Sequence, residues 1–131
     1  MRGILLDTHI WFWFLTGSKR LPQELSTAIE KESDHLWLSS VSVWELGMLE
    51  RKGRIRVDGR FRDWVHLAME RMPVIEAPLT NAISLLSHDI QLGHADPADH
   101  FIAATAIAHE LVLASVDERI TEAECVATLK F

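Results

Sequence analysis

Residues 3–6, Gly-Ile-Leu-Leu, are followed at once by Asp7 and Thr8. A run this short and wholly apolar reads as a buried strand ending on a carboxylate. That carboxylate is costly there unless something compensates its charge. Two later runs share the form. Leu36 to Leu38 is followed by Ser39 and Ser40, and Leu111 to Ala114 by Ser115 and, two residues on, Asp117. Val74 and Ile75 are strand-like as well, and Val126 to Leu129 reads as a final short strand.

Helix signals fill the intervals. Thr8 is placed to cap a helix through Leu15, closed by Gly17. Pro22 opens a second helix to about Glu32, with Leu25 and Ile29 on one face. Ser40 caps a third from Val41 to about Lys52, stopped by Gly53. Arg60 to Arg71 fits a fourth, with Trp64, Leu67 and Ala68 together and Pro73 ending it. Pro78 to Ile90 reads as a fifth, and Asp96-Pro97 opens a sixth through about Glu110. Asp117 is placed to cap a short helix, Glu118 to Ala123. Strands alternating with helices predict an α/β layer fold with a mainly parallel sheet, because parallel strands need helical crossovers.

With 131 residues, 48% apolar and 24% charged, the chain reads as one globular domain, residues 1–131. Its longest clean apolar run, Phe101 to Ala108, is far short of the ~18 residues a membrane span needs. Asp7 and His9 interrupt the apolar N-terminus, which argues against a signal peptide. A single cysteine, Cys125, allows no internal disulfide and no finger-type zinc site. A cytoplasmic location is the simplest expectation. The net charge of −6 argues against a non-specific nucleic-acid binder. Six of the thirteen basic residues nevertheless fall between Arg51 and Arg62: Arg51, Lys52, Arg54, Arg56, Arg60 and Arg62. They suit phosphate contacts, or equally a solvated helix end whose dipole they complement.

Ligands of open α/β sheets bind beyond the carboxyl ends of the strands. Asp7 and Asp117 follow two strand ends directly. Asp99 lies in the first turn of the helix leading to the strand at 111–114, and Glu45 lies in the helix after the second strand. The topology can therefore gather four carboxylates on one edge. Two unit charges about 4 Å apart repel by roughly 4 kcal/mol at an effective dielectric of about 20, so such a cluster calls for a cation. An all-oxygen donor set suits Mg²⁺ or Mn²⁺ rather than zinc. Each acid also has a structural alternative. Asp7, Asp96 and Asp117 are placed to cap helices, Asp99 for a capping box, and Glu45 for a helix surface. His94 and His100 with the nearby aspartates could form a His/Asp metal site, although a solvated loop and a helix surface fit them better. His9, close to Asp7, could orient a phosphate; a packed or partner-facing histidine is the default.

Three segments in order, LLDTHIWFWFL, SSVSVWELGMLERKGRI and HADPADHFIAATAIAHELVLASVDERI, resemble the motif series of PIN-domain proteins, and most of all VapC-type toxins of bacterial toxin–antitoxin modules. The resemblance runs from about residue 4 to residue 120. It implies a three-layer α/β/α sandwich around a short, mainly parallel sheet. It also implies Mg²⁺- or Mn²⁺-dependent endoribonuclease cleavage of RNA, arresting translation when the toxin is free. Position by position, Asp7, Glu45, Asp99 and Asp117 match the four family acids, as catalytic residues and metal ligands. Asp96 matches a frequent accessory acid, and Thr8 the hydroxyl beside the first acid. Two positions depart from the pattern. His100 stands where the family often has Arg, and Ser115 where it usually has Thr. By resemblance the partners are RNA, a VapB-like antitoxin and a second copy of the chain. The segment IWFWFL, Ile10 to Leu15, is apolar all round a helix, more than one core can cover.

Two other classes compete. A phosphatase-like domain with an acidic Mg²⁺ site also places an aspartate after its first strand. It needs a lysine near the later strand ends, and Lys130 lies at the extreme C-terminus. A non-catalytic PIN-like RNA- or protein-binding module would tolerate loss of an acid, yet all four are present.

Overall fold

A computed structural model describes residues 3–93 and 96–131. Four short strands, β1 (Ile4–Leu6), β2 (Leu36–Ser39), β3 (Ile75–Ala77) and β4 (Val112–Ala114), form one parallel sheet in the order β3-β2-β1-β4. Ile4 faces Leu36 on one side and Val112 on the other, which fixes the register at its centre. Helices α1 (Thr8–Thr16), α2 (Gln23–Lys31), α3 (Ser40–Arg51) and α4 (Phe61–Arg71) connect the first three strands. Helices α5 (Asn81–Ser87) and α6 (Pro97–Ala108) lead to β4, and α7 (Glu118–Thr121) follows it.

Strand alternation sorts the core into two layers. Ile4, Leu6, Leu36 and Leu38 pack with Ile10 and Trp11 of α1, Leu25 and Ile29 of α2, and Leu46 and Leu49 of α3. Leu5, Leu113 and the half-buried Trp37 point the other way, onto Ile83 of α5, Ile102 and Ala103 of α6, and Ile120 of α7. The result is the expected three-layer α/β/α sandwich. Each fully buried leucine or isoleucine contributes about 1.5–3 kcal/mol relative to exposure, so both layers are needed to hold a sheet of such short strands. Gly3 permits a close approach: a Cβ there would lie 2.6 Å from Nε1 of Trp37.

Several boundaries differ from the sequence reading. Asp7, not Thr8, caps α1, and Ser39, not Ser40, caps α3. Asp7 accepts from the Thr8 amide and Ser39 from the Val41 amide; each capping residue is extended, and the next residue is already helical. The fifth helix begins only at Asn81, because Thr80 takes the cap and accepts from the Ile83 amide at 3.2 Å. Residues 126–129 form no strand; a single parallel bridge joins Thr128 to Leu113. α6 stops at Ala108, and Glu110 turns the chain with φ 54°. Among the described residues, no helix is long and apolar enough to cross a membrane.

Candidate active site

The sheet order reverses direction between β1 and β4, since chain connections leave those two strands on opposite sides. Asp7 and Asp117 stand at the carboxyl ends of this pair. The Asp7 amide donates to the Ala114 carbonyl at 3.0 Å, so the sheet ladder continues up to the acid itself. Beyond it opens a pocket of about 260 Å³. Asp7, Glu45, Asp96, Asp99 and Asp117 all line it. The four acids matched to the family motifs, and the accessory one, thus meet in one place.

Each is held differently. Asp7 is only 9% exposed. Its Oδ1 accepts from the Thr8 amide at 2.9 Å and its Oδ2 from the Ser115 hydroxyl at 2.7 Å. Ser115 Oγ in turn accepts from the Asp117 amide at 3.1 Å, so one hydroxyl links the two strand ends. Asp117 caps α7 through the Arg119 amide at 2.9 Å, and the Arg119 guanidinium grips it from Nε and Nη2 at 3.2 and 3.1 Å. Asp96 caps α6, accepting from the Ala98 amide at 3.1 Å. The capping roles foreseen for Asp7, Asp96 and Asp117 are therefore real, and each cap leaves its carboxylate lining the pocket. Asp99 projects from the first turn of α6 and is 7% exposed. Glu45 enters from α3, near the Thr8 hydroxyl. Thr8 itself donates to Ser42 Oγ at 3.0 Å, tying α1 to α3.

The electrostatics follow from this crowding. Burial pushes the Asp7 carboxyl up, against the hydrogen bonds from Ser115 and Thr8 that favour its anion. Burial raises Glu45 too, with Asp7 and Asp96 adding repulsion. Asp99 is raised from 3.8 to about 7, by burial first and then by the charges of Asp7, Asp96, Glu45 and Asp117. Among the described residues, no three His, Cys, Asp or Glu side chains stand close enough together to enclose an ion as they are. The donors are all oxygen and their charges are under-compensated, which fits a hard divalent cation.

Other candidates lie elsewhere. His100 places Nδ1 2.9 Å from the Asp96 carbonyl and lines a separate depression beside α5, with Ser87, His88 and Phe101. It does not line the acidic pocket. His94 lies outside the described residues. His9 is exposed and lines the pocket, with its ring beside that of Trp13. Of the basic cluster, Arg51, Lys52, Arg54 and Arg56 are all exposed; none lines the acidic pocket, and Arg54 lines the depression next to it. Lys130 is exposed at the C-terminus and does not line the pocket, which removes the lysine a phosphatase-like site needs. The sequence reading missed Arg20, Trp13 and Arg119 on the pocket wall. Arg119 had a usable signal, two residues after a capping aspartate; Arg20 sits in a loop and had none.

Residues 4–124 match the PIN domain family. The chain belongs to the PIN-domain family. Ribonuclease VapC22 of Mycobacterium tuberculosis is 30% identical over 120 residues, covering 92% of this chain and 91% of that protein. Solved structures share the PIN-domain architecture. VapBC from Salmonella typhimurium, bound to DNA, superposes with a TM-score of 0.72 at 15% identity, covering 98% of each chain. VapBC2 from Rickettsia felis, bound to a promoter DNA fragment, gives 0.68 at 14% identity, again covering 98% of each. FitAcB from Neisseria gonorrhoeae gives 0.65 at 24%, covering 97% of this chain and 96% of that one. In this PIN domain Asp7, Glu45, Asp99 and Asp117 line one pocket at the carboxyl edge of the sheet.

Proposed function

We propose that this PIN-domain chain is a metal-dependent endoribonuclease, the toxin of a toxin–antitoxin pair. The observation that carries the reading is the convergence of five carboxylates, Asp99 raised to about 7 among them, on one pocket at the strand ends. Its relationship to a VapC ribonuclease along nearly its whole length supports the same reading. Mg²⁺ or Mn²⁺ would be held by Asp7, Asp99 and Asp117 with Glu45, and when bound it would lower the pKa of an attacking water and neutralise charge on the phosphodiester.

The chain's own residues do the rest. Ser115 fixes the Asp7 carboxylate from one side and the Thr8 amide fixes it from the other, so its orientation is set before substrate arrives. Glu45 is raised by burial and stands across the pocket, suited to take the proton of the attacking water. Hydrolysis in this arrangement leaves a 5′-phosphate and a 3′-hydroxyl. Asp96 anchors the α6 N-terminus, and so the approach of Asp99.

The toxin reading extends to partners: RNA as substrate, a VapB-like antitoxin, and a second copy of the chain. VapBC and FitAcB structures share this fold. Two exposed apolar surfaces suit protein partners. One centres on Trp44, 58% exposed, with Leu79; the other lies on α4 around Leu67, 45% exposed, beside Leu15 and Trp64. The place of action would be the cytoplasm.

The test is cleavage of total cellular RNA by the purified, partner-free chain, with Mg²⁺, with Mn²⁺, with chelator, and with Asp7→Asn. Discrete fragments that require metal and vanish in the variant are expected. A folded wild-type chain that leaves all RNA intact under both metals would overturn the reading.

A further inference from the structure

The acidic pocket adjoins a second depression of about 360 Å³, since His9, Trp13 and Arg20 line both. The second depression differs in chemistry. Arg54, from the turn after α3, and Arg20 both line it, and so do the hydroxyl residues Thr16 and Ser18. Its lining includes no carboxylate among the described residues. His9, Trp13 and Thr16 recur at helical spacing, so they share one face of α1. That face runs about 10 Å along the helix, away from Asp7. The His9 and Trp13 rings lie against each other, centroids 5.6 Å apart and planes 48° apart. His9 is exposed while its neighbours Thr8 and Ile10 are buried, so the fold turns it outward, and Arg54 is exposed as well.

A strand that delivers a phosphodiester to the carboxylates must lay its neighbouring nucleotide against the surface beside them. Single-stranded RNA is held by aromatic faces that stack on bases and by cations that follow the backbone. A guanidinium can also bind phosphate through two parallel hydrogen bonds. We propose that this second depression is a nucleotide subsite for single-stranded RNA. A base flanking the scissile phosphate stacks on Trp13 and His9, and Arg20 and Arg54 hold the adjoining phosphates. The subsite rests on the ribonuclease reading above and names how that site takes its substrate. RNA fits this face better than a purely apolar protein segment does, because two guanidiniums and two hydroxyl residues line it beside Phe12, Leu49 and Ile55, and the exposed large apolar side chains lie elsewhere.

The experiment measures fluorescence anisotropy of a short 5′-fluorescein-labelled RNA and of the same RNA with abasic sites, at low salt with Mg²⁺. The protein is the full chain carrying Asp99→Asn, so that bound RNA is not cut. Trp13→Ala is expected to raise Kd about tenfold for the intact RNA, and to have little effect on the abasic one. Arg54→Glu is expected to weaken both several-fold. Lys130→Glu, the same charge change on an exposed residue away from both depressions, is expected to stay within about twofold. Trp13 packs partly on the core, so thermal unfolding is recorded for each variant; exposed Arg54 carries the test if Trp13→Ala does not fold. The subsite is overturned if Arg54→Glu behaves like Lys130→Glu, if intact and abasic RNA bind alike, or if the parent chain binds neither. Cleavage by the otherwise wild-type chain is scored separately. Metal-dependent cleavage with unchanged binding by the variants rejects the subsite alone; absence of cleavage rejects the ribonuclease reading.

Discussion

Replacing Asp99 by asparagine makes the cost of the acidic pocket measurable. Without metal, Asp99 is raised from 3.8 to about 7 by burial and by four neighbouring acids. The fold therefore holds the proton of Asp99 more tightly than the unfolded chain does. Its contribution to stability is fully present below pH about 4, and is lost as the pH rises towards about 7. A displacement of that size is worth about 4 kcal/mol, and water at the pocket mouth screens it to about 2 kcal/mol. Asp99→Asn keeps the shape and removes the charge. At pH 8 the chelated variant should be more stable than wild type by about 2 kcal/mol, or about 6–10 °C in Tm for a chain of this length. At pH 5 most of the wild-type side chain is protonated in the fold, and the gap should fall below about 1 kcal/mol. Mg²⁺ should raise the wild-type Tm and close the gap at pH 8, because a ligand binding only the folded state stabilises it. The assay is thermal unfolding by circular dichroism from pH 5 to 8.5, with chelator and with Mg²⁺. A variant no more stable than wild type at pH 8, or a gap that does not change with pH, would refute the argument that the pocket stores uncompensated charge. RNA cleavage by the stabilised variant should be lost.

Other outcomes follow from the same geometry. Ser115→Ala removes the 2.7 Å donor to Asp7 and the acceptor for the Asp117 amide; it should cost about 1–3 kcal/mol in urea unfolding and lower the cleavage rate at neutral pH, because buried Asp7 loses a bond favouring its anion. Arg119→Ala frees Asp117 from a guanidinium that a cation has to displace, so the Mg²⁺ concentration for half-maximal thermal stabilisation should fall; an unchanged midpoint means Arg119 does not compete. Trp44→Glu places a charge on the exposed apolar surface beside Leu79; should the proposed second copy of the chain dock there, the variant's molar mass by light scattering falls to that of a monomer while the Tm of the fold stays nearly unchanged. Gly3→Ala forces a Cβ onto the Trp37 indole and should lower stability by about 1–3 kcal/mol in chemical denaturation, with no change in metal response.

Much of this arrangement was legible in residue order. Short apolar runs ending at Asp7, Ser39 and Ser115 marked strands, and the intervening periodicity demanded crossovers, so a parallel sheet with ligands at its carboxyl edge followed from backbone hydrogen bonding and burial. The four acids could be picked out because each falls just past such a run or in the helix adjoining one. Local rules were less decisive at element ends. Asp7 and Thr8, like Ser39 and Ser40, offer two cap candidates in a row, and only the backbone angles choose between them. The apolar run at 126–129 scored as a strand because periodicity does not count partners; in the fold only Thr128 bridges to β4.

What residue order determined, then, is which side chains sit at strand ends and helix starts, since those positions depend on local periodicity and capping. Tertiary structure alone decided how the charges are balanced. Asp7 is bridged to the neighbouring strand by Ser115, and His100 lines the depression beside α5 rather than the acidic pocket. It also brought Arg20 and Arg54 to one depression, from segments more than thirty residues apart in sequence. Distances between side chains on different elements depend on how helices pack over the sheet, and no local pattern in the chain encodes that packing.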